Sequence, residues 1–276
     1  MTYVSADAVV QTPNIQRDRA KNLFIAEVAP SRHIMEFSMS LANTPGTLND
    51  VTDILAKHNV NILTGFHDRD HWSFFADVTK SDIKPEQLEQ EIVALERVGE
   101  IRTLDEPNGI IVDTLHYPVK WGDNRAIILR ARTLSSMLDS IRNAFGAEGA
   151  VARILLHTMG EAAGRAMFEA CAVHPGDKLH EGIYHIIGVY TATGWGIFNL
   201  KLFDPTNAKA IVQAVDNFEC SPYAGSGSFH SHFVRGHLAG LFSQVFNRRM
   251  EATETACVAR GDSICEFKIE PAQVKS

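Results

Sequence analysis

Alternation at period two opens the patterned part of the chain. Met35, Phe37, Met39 and Leu41 are separated by Glu36, Ser38 and Ser40, which predicts a strand with one buried face. Asn43-Thr44-Pro45-Gly46 has turn chemistry, and Leu48, Val51, Ile54 and Leu55 then recur at helical spacing as far as His58-Asn59. Two strands are predicted over 60–66 and 72–78, around a His67-Asp68-Arg69-Asp70 turn. Pro85 suits the first turn of a second helix carrying Leu88, Ile92 and Leu95, and 98–104 closes as a fourth strand. The order β-α-β-β-α-β is that of a ferredoxin-like unit.

Beyond it the pattern changes. Residues 105–125 hold turn signals around the apolar run Ile110-Ile111-Val112, expected as a short strand, with 125–129 as another; the pair is expected to open a second domain. Leu134, Met137, Leu138 and Ile141 fit one helical stripe. Val151, Leu155, Met159, Ala162 and Ala166 fit a second, whose Gly160 and Gly164 leave a thin side for close approach of another element. His174-Pro175-Gly176-Asp177 stops that run, and the apolar segment 181–190 reads equally as helix or strand. A strand is expected over 195–203, with Phe198, Leu200 and Leu202 on one face, and another over 210–215. A Gly- and Ser-rich loop at 221–228, suited to a lid, leads to a helix over 231–246 and a hairpin over 251–270. The chain is thus α/β (α+β), with an arm over 1–32 in which Leu23-Phe24-Ile25 can add a short strand or dock on a partner.

A length of 276 residues with 45% hydrophobic and 21% charged positions suits two globular domains. A net charge of -7 and a pI of about 5.9 argue against sequence-independent nucleic-acid binding, and no helix-turn-helix with a basic face is evident, so direct nucleic-acid contact is not expected. No apolar run reaches the roughly 18 residues of a membrane span, and residues 1–32 lack the apolar core of a signal peptide. A cytoplasmic location follows, where thiols stay reduced and clustered cysteines more often bind metal.

The chemistry-bearing residues gather near the C-terminus. Cys257 and Cys265 flank a bend at Gly261-Asp262, so a hairpin brings their sulfurs together, and Glu254 lies three positions before the first. Two thiols and a carboxylate suit a metal or a redox pair. Candidate walls of an apolar pocket are Trp195, Phe198 and Phe218, with His157 and His185 as polar groups able to orient a ligand near neutral pH. No nucleophile elbow, phosphate loop or metalloprotease helix is present, and Gly194-Trp195-Gly196 lacks the spacing of a dinucleotide fingerprint, so no catalytic residues are assigned.

Two family resemblances bear on these patterns. Asn43-Thr44-Pro45-Gly46-Thr47-Leu48, followed by Ile54-Leu55 and His58-Asn59-Val60-Asn61-Ile62, resembles an ACT domain, expected over 33–105. The resemblance implies pairing through sheets, hence a homodimer, and an amino-acid or other small-ligand site at Asn43, Pro45 and Gly46. Asn217-Phe218-Glu219, then Phe233-Val234-Arg235-Gly236-His237-Leu238-Ala239-Gly240, then Glu254-x-x-Cys257 and Cys265, resemble a vinyl-4-reductase-type (V4R) domain, expected over 106–272 with a fold similar to haem-NO-binding and TRAPP-type α/β domains.

The V4R resemblance implies a small-molecule pocket and a structural zinc ion held by Glu254, Cys257 and Cys265. The family's remaining cysteine falls on Ser231, so Cys220, His230 or His232 must complete the site, and Cys220 is favoured as a thiolate. Together the resemblances imply a non-catalytic sensor or regulatory protein that binds an apolar or aromatic ligand and acts through a protein partner. The alternative they allow is an enzyme or enzyme subunit acting on a tetrapyrrole-like substrate.

Overall fold

A computed structural model describes residues 20–146, 149–171 and 179–273. The break expected at 174–177 and most of the N-terminal arm lie outside the described residues. The chain divides into two compact units, one ending at Ala126 and the other beginning at Ile127.

The first unit contains β1 (Ala26–Val28), β2 (Ile34–Leu41), α1 (Thr47–Lys57), β3 (Asn61–Asp68), β4 (His71–Asp77), α2 (Pro85–Val93), β5 (Val98–Glu106), β6 (Ile110–Val112), β7 (Lys120–Trp121) and β8 (Asn124–Arg125). Its main sheet has the antiparallel order β3-β4-β2-β5, which is the β-α-β-β-α-β arrangement read from the pattern. Met35, Phe37 and Met39 face α1 and α2, where they meet Val51, Leu55, Leu88 and Ile92. Gly46 takes a left-handed conformation (φ 92°) to turn the chain into α1, a backbone state open to glycine at little cost. Pro85 stands in the first turn of α2, where the Gln87 side chain accepts a hydrogen bond from the Lys84 N–H at 3.1 Å.

The opposite face of this sheet departs from the expectation. Glu36 and Ser38, placed toward water by the alternation, are buried. The cause is a second layer: β1 pairs antiparallel with β6, and Phe24 stacks on Phe75 at 4.1 Å, so that Ile34, Phe75 and Ile111 form a small core of their own. Ile110–Val112 therefore belongs to the first unit and does not open the second domain. The strand expected over 125–129 is also absent: only Asn124–Arg125 pairs, with Lys120–Trp121, and Ile127, Ile128 and Leu129 are exposed.

The second unit carries α3 (Ala131–Phe145), α4 (Ala150–Ala170), α5 (Leu179–Ala192), β9 (Ile197–Asp204), β10 (Lys209–Val215), α6 (His232–Val245), β11 (Met250–Ala256) and β12 (Cys265–Pro271). The sheet is antiparallel in the order β11-β12-β10-β9. The segment that read as helix or strand is α5, whose Ile183, Ile186, Ile187 and Tyr190 form one buried stripe. In β9 the inward series breaks after Leu200. A register shift opposite Ile211–Val212 skips Lys201, leaves Leu202 43% exposed and turns Phe203 onto Phe242 and Phe246.

Helix α6 is buried along most of its length because α4 and the sheet both pack on it. The crossing with α4 is made by glycines on both sides. A β-carbon on Gly160 or Gly164 would stand 2.1 or 2.0 Å from the carbonyl oxygens of Phe233 and His237, and one on Gly236 or Gly240 would stand 2.1 Å from those of His157 and Glu161. The thin side of the second stripe is thus closed by backbone against backbone.

Candidate functional site

The start of α6 organises the site. The Glu219 carboxylate accepts hydrogen bonds from the backbone N–H groups of Phe233 (3.0 Å) and Val234 (2.8 Å), placing negative charge at the helix N-terminus. Arg142 of α3 donates to Glu219 at 2.5 Å, to the His230 carbonyl at 3.0 Å and to Asp139 at 2.8 Å. Burial pushes Glu219 up to about 7, while Arg142 and the two backbone donors act in the opposite direction. Asn217 donates to the Ser231 hydroxyl at 3.1 Å and accepts the Glu219 N–H at 3.1 Å. Asn217-Phe218-Glu219 is therefore a clasp on the helix, a role not assigned from sequence. Arg142 was missed although it sits four residues after Leu138, beside the apolar stripe of α3.

Against this clasp lies the thiol cluster. Cys220, Glu254, Cys257 and Cys265 are all buried, and one ligand atom from each lies within 4.8 Å of the others. The hairpin turn that joins the two strand cysteines is closed by Asp262, whose carboxylate accepts the Cys257 N–H at 2.8 Å, and by Gly261 at φ 108°. Cys220 approaches from the turn before Ser221–Tyr223. Its sulfur stands 3.4 Å from that of Cys257, 2.6 Å from the Ser231 hydroxyl and 3.9 Å from Glu254. The 3.4 Å gap excludes a disulfide, whose sulfurs sit about 2.05 Å apart, and lies near the on-the-order-of 3.8 Å between thiolates on a tetrahedral ion.

Hydrogen bonds from Cys220 and Cys257 bring Cys265 down to about 4, so the cluster favours a thiolate there, while burial and the Cys257 thiol push Glu254 up to about 8. Three sulfurs and a carboxylate without bulk water are a donor set that can bind a metal ion. His230 instead stacks on Tyr223 at 4.4 Å, and His232 is not among the residues whose ligand atoms converge there.

A cavity of about 760 Å³ opens beside Glu254. Arg153 and His157 of α4, His232 and Arg235 of α6, and Arg260 line it, with Ile154 and Phe229 as apolar wall. Arg260 covers the Phe229 ring at 4.6 Å and pairs with Asp262 at 2.8 Å. His232 Nδ1 and Arg235 Nε are buried without a hydrogen-bond partner. Burial, and then Arg235, keeps His232 down at about 3 and lowers His157, so both rings are neutral near pH 7.

The other sequence candidates are distributed differently. Trp195, Phe198 and Phe218 pack into the core with Tyr190 and His237: ring centroids are 5.2 Å apart for Trp195–Phe218, 5.0 Å for Tyr190–Phe198 and 4.9 Å for Trp195–His237. Inside that core the Tyr190 hydroxyl and His237 Nδ1 share a hydrogen bond of 2.9 Å. His185 is exposed on α5, away from the buried stripe. Only His157 of these five lines the cavity. Asn43, Pro45 and Gly46 form an exposed turn before α1, where Arg97 Nη1 lies 3.5 Å from the Pro45 carbonyl and from Asp50. The cavity's cationic wall (Arg153, Arg235, Arg260) was missed, since arginines on helix faces usually mark solvated surface.

The fold and the site define a two-unit α/β protein with a glycine-crossed helix pair over a cysteine-bearing hairpin. The ACT domain family matches residues 35–97 and the V4R domain family matches residues 210–271, so the chain carries an ACT domain followed by a V4R domain. An uncharacterised protein of Methanocaldococcus jannaschii is 29% identical over 75 residues, which are 27% of this chain; the chain spans only 42% of that relative. Among solved structures it is similar to the phenol-responsive sensory domain of the transcription activator PoxR with phenol (18% identity over 59% of this chain and 80% of that one, TM-score 0.46). A vinyl-4-reductase family protein from Methanocaldococcus jannaschii is similar at 15% identity over 55% of this chain and 86% of that one, with a TM-score of 0.38. These likenesses transfer no residue roles.

Proposed function

We propose that this protein is a non-catalytic small-molecule sensor whose V4R unit takes an organic acid with an apolar body in the cavity beside Glu254. One observation carries this reading: two buried polar atoms, His232 Nδ1 and Arg235 Nε, lack partners on a wall that also presents Arg153 and Arg260. A buried donor left unsatisfied costs about 1–3 kcal/mol, and a carboxylate arriving among these groups removes that cost with charge-assisted bonds. Ile154 and Phe229 offer apolar contact to the rest of such a ligand. Trp195, Phe198 and Phe218, expected as walls of an apolar pocket, belong to the core of the same unit and do not line this cavity.

Beneath the cavity, Cys220, Glu254, Cys257 and Cys265 hold a zinc ion in this reading. The set fits: four buried donors of suitable softness converge, and none is left for substrate. Zinc supplies a cross-link there, tying the β11–β12 hairpin to the turn before α6. The ACT unit serves homodimerisation or takes an amino acid at Asn43, Pro45 and Gly46, and the reduced thiols suit a cytoplasmic protein that signals through a protein partner.

Isothermal titration and thermal shift with benzoate-type acids, tetrapyrrole propionates, neutral phenols and amino acids test the ligand class. Acids are expected to bind and Arg235→Met to abolish binding; equal binding of neutral phenols with Arg235→Met unchanged refutes the anion site. Metal analysis of Cys220→Ser, Cys257→Ser and Cys265→Ser tests the staple, with zinc lost in all three. Zinc retained in Cys220→Ser removes that ligand from the set.

A further inference from the structure

The ACT unit holds a second polar cluster, on the sheet face that faces away from α1 and α2. Register puts Glu36 and Ser38 of β2 beside Phe75 and Ser73 of β4. The chain leaving β6 then crosses over them and delivers Asp113 and His116. His116 Nδ1 lies 2.8 Å from Asp113 Oδ1 and 3.5 Å from Glu36 Oε1. One ligand atom each from Glu36, Asp113 and His116 falls within 4.8 Å of the others.

Glu36 is the unexplained member. Its exposure is 0%, and neither carboxylate oxygen has a hydrogen-bond partner. It faces a second carboxylate, Asp113, that already accepts the N–H groups of Leu115 (3.0 Å) and His116 (3.1 Å). Glu36 is fully buried beside Asp113 and its nearest donor, His116 Nδ1 at 3.5 Å, makes no hydrogen bond to it; a cation held between the two carboxylates compensates both charges.

We propose that Glu36, Asp113 and Nδ1 of His116 form a binding site for a divalent first-row transition metal. Oxygen and imidazole ligands at about 2.0–2.2 Å from a tetrahedral ion lie on the order of 3.4 Å apart, close to the separation of Glu36 and His116. The ion replaces the proton shared by His116 and Asp113. The other ring nitrogen, His116 Nε2, then carries the hydrogen, and its acceptors are in place: Ser38 Oγ at 3.0 Å, Ser73 Oγ at 2.9 Å and His71 Nε2 at 3.2 Å. That is the outer shell a metal-bound histidine uses to fix its tautomer. A cavity of about 180 Å³ lined by Ser38, His71 and His116 lies on the Nε2 side of the ring, where that outer shell meets solvent.

Zinc counting on the full chain tests the site. Wild-type protein equilibrated with Zn²⁺ and desalted is expected to carry one more zinc per chain than Glu36→Gln or His116→Asn, each verified as folded by circular dichroism. Asp113→Asn, altered in an irregular segment, provides the same comparison where either variant does not fold. Co²⁺ substitution separates this site from the thiol cluster: a thiolate-to-cobalt charge-transfer band reports the cysteines and is expected unchanged in all three variants. Equal zinc content in wild type and folded variants overturns the proposal, as does zinc lost in His71→Gln but kept in Glu36→Gln, which moves the ion to the other ring nitrogen.

Discussion

Replacing Gly164 by alanine tests the helix crossing on which the V4R unit is built. The new methyl would stand 2.0 Å from the His237 carbonyl oxygen and 2.9 Å from the Leu241 nitrogen, both backbone atoms that cannot swing aside. Ordinary contact is about 3.5 Å, so α4 and α6 must part by on the order of 1 Å along a shared surface. Overpacking costs about 1–3 kcal/mol, and the rigid partner puts this case at the upper end. Alanine returns about 1 kcal/mol through helix propensity, leaving a net loss of about 2 kcal/mol.

For a unit of this size that loss lowers the midpoint by about 4–8 °C. Gly188 of α5 supplies the control, since nothing lies within 4 Å of a β-carbon there. Gly188→Ala is expected to stabilise by about 0.5–1 kcal/mol through propensity alone. Differential scanning calorimetry on both variants gives the two signs. A Gly164→Ala midpoint equal to or above that of wild type refutes the backbone-to-backbone crossing.

Three further outcomes follow from buried contacts. Arg142→Met leaves Glu219 buried without its cation and should cost about 3–5 kcal/mol, read as a lower urea midpoint of the V4R unit. His58 is buried and its pKa is raised from 6.5 by hydrogen bonds to Asp82 and then Glu91, so its contribution is fully present below pH 6.5 and is lost as pH rises through the higher folded-state value. His58→Gln should flatten that decline in ACT-unit stability, and an unchanged pH profile would count against the two ion pairs. Phe24→Ala removes the ring stacked on Phe75 and should speed amide exchange in β1 and β6, with α2, which packs on the other face of the sheet, unaffected.

The legible parts of the chain are those whose signals are local. Period two in β2, period 3.6 in α1 and α2, and the Pro-Gly turn between them give the ferredoxin-like order without any distant contact. Spacing about the Gly261-Asp262 bend likewise brings Cys257 to Cys265. What escaped depends on partners far along the chain: Glu36 becomes buried only because residues 24–28 and 110–116 meet above it. A different omission lay within reach. Ile183, Ile186, Ile187 and Tyr190 already have helical period, and that period leaves His185 outside the stripe. The cationic wall was hidden because Arg153 and Arg235 sit on different helices, and only the glycine crossing sets them over one cavity.

The same crossing limits how a ligand in that cavity can act. Helix α6 is fixed along its side by α4 at backbone contact and at its start by Glu219, so it has little freedom to answer. The softer wall is the pair of turns opposite. Gly225 and Gly227 donate their N–H groups to the carbonyls of Val258 (3.3 Å) and Ala259 (3.0 Å), and the Ser226 hydroxyl donates to Ala259 at 3.3 Å. Gly227, Phe229 and Arg260 all line the cavity, and the second turn begins immediately after Cys257. An acid bound by Arg235 and Arg260 should therefore stiffen 225–229 and 258–260 together, and a metal in the thiol cluster should stiffen 258–260 alone. Hydrogen exchange measured with each added separately distinguishes the two effects. Protection appearing first in α6 on ligand addition would refute this division of the cavity into a rigid wall and a responsive one.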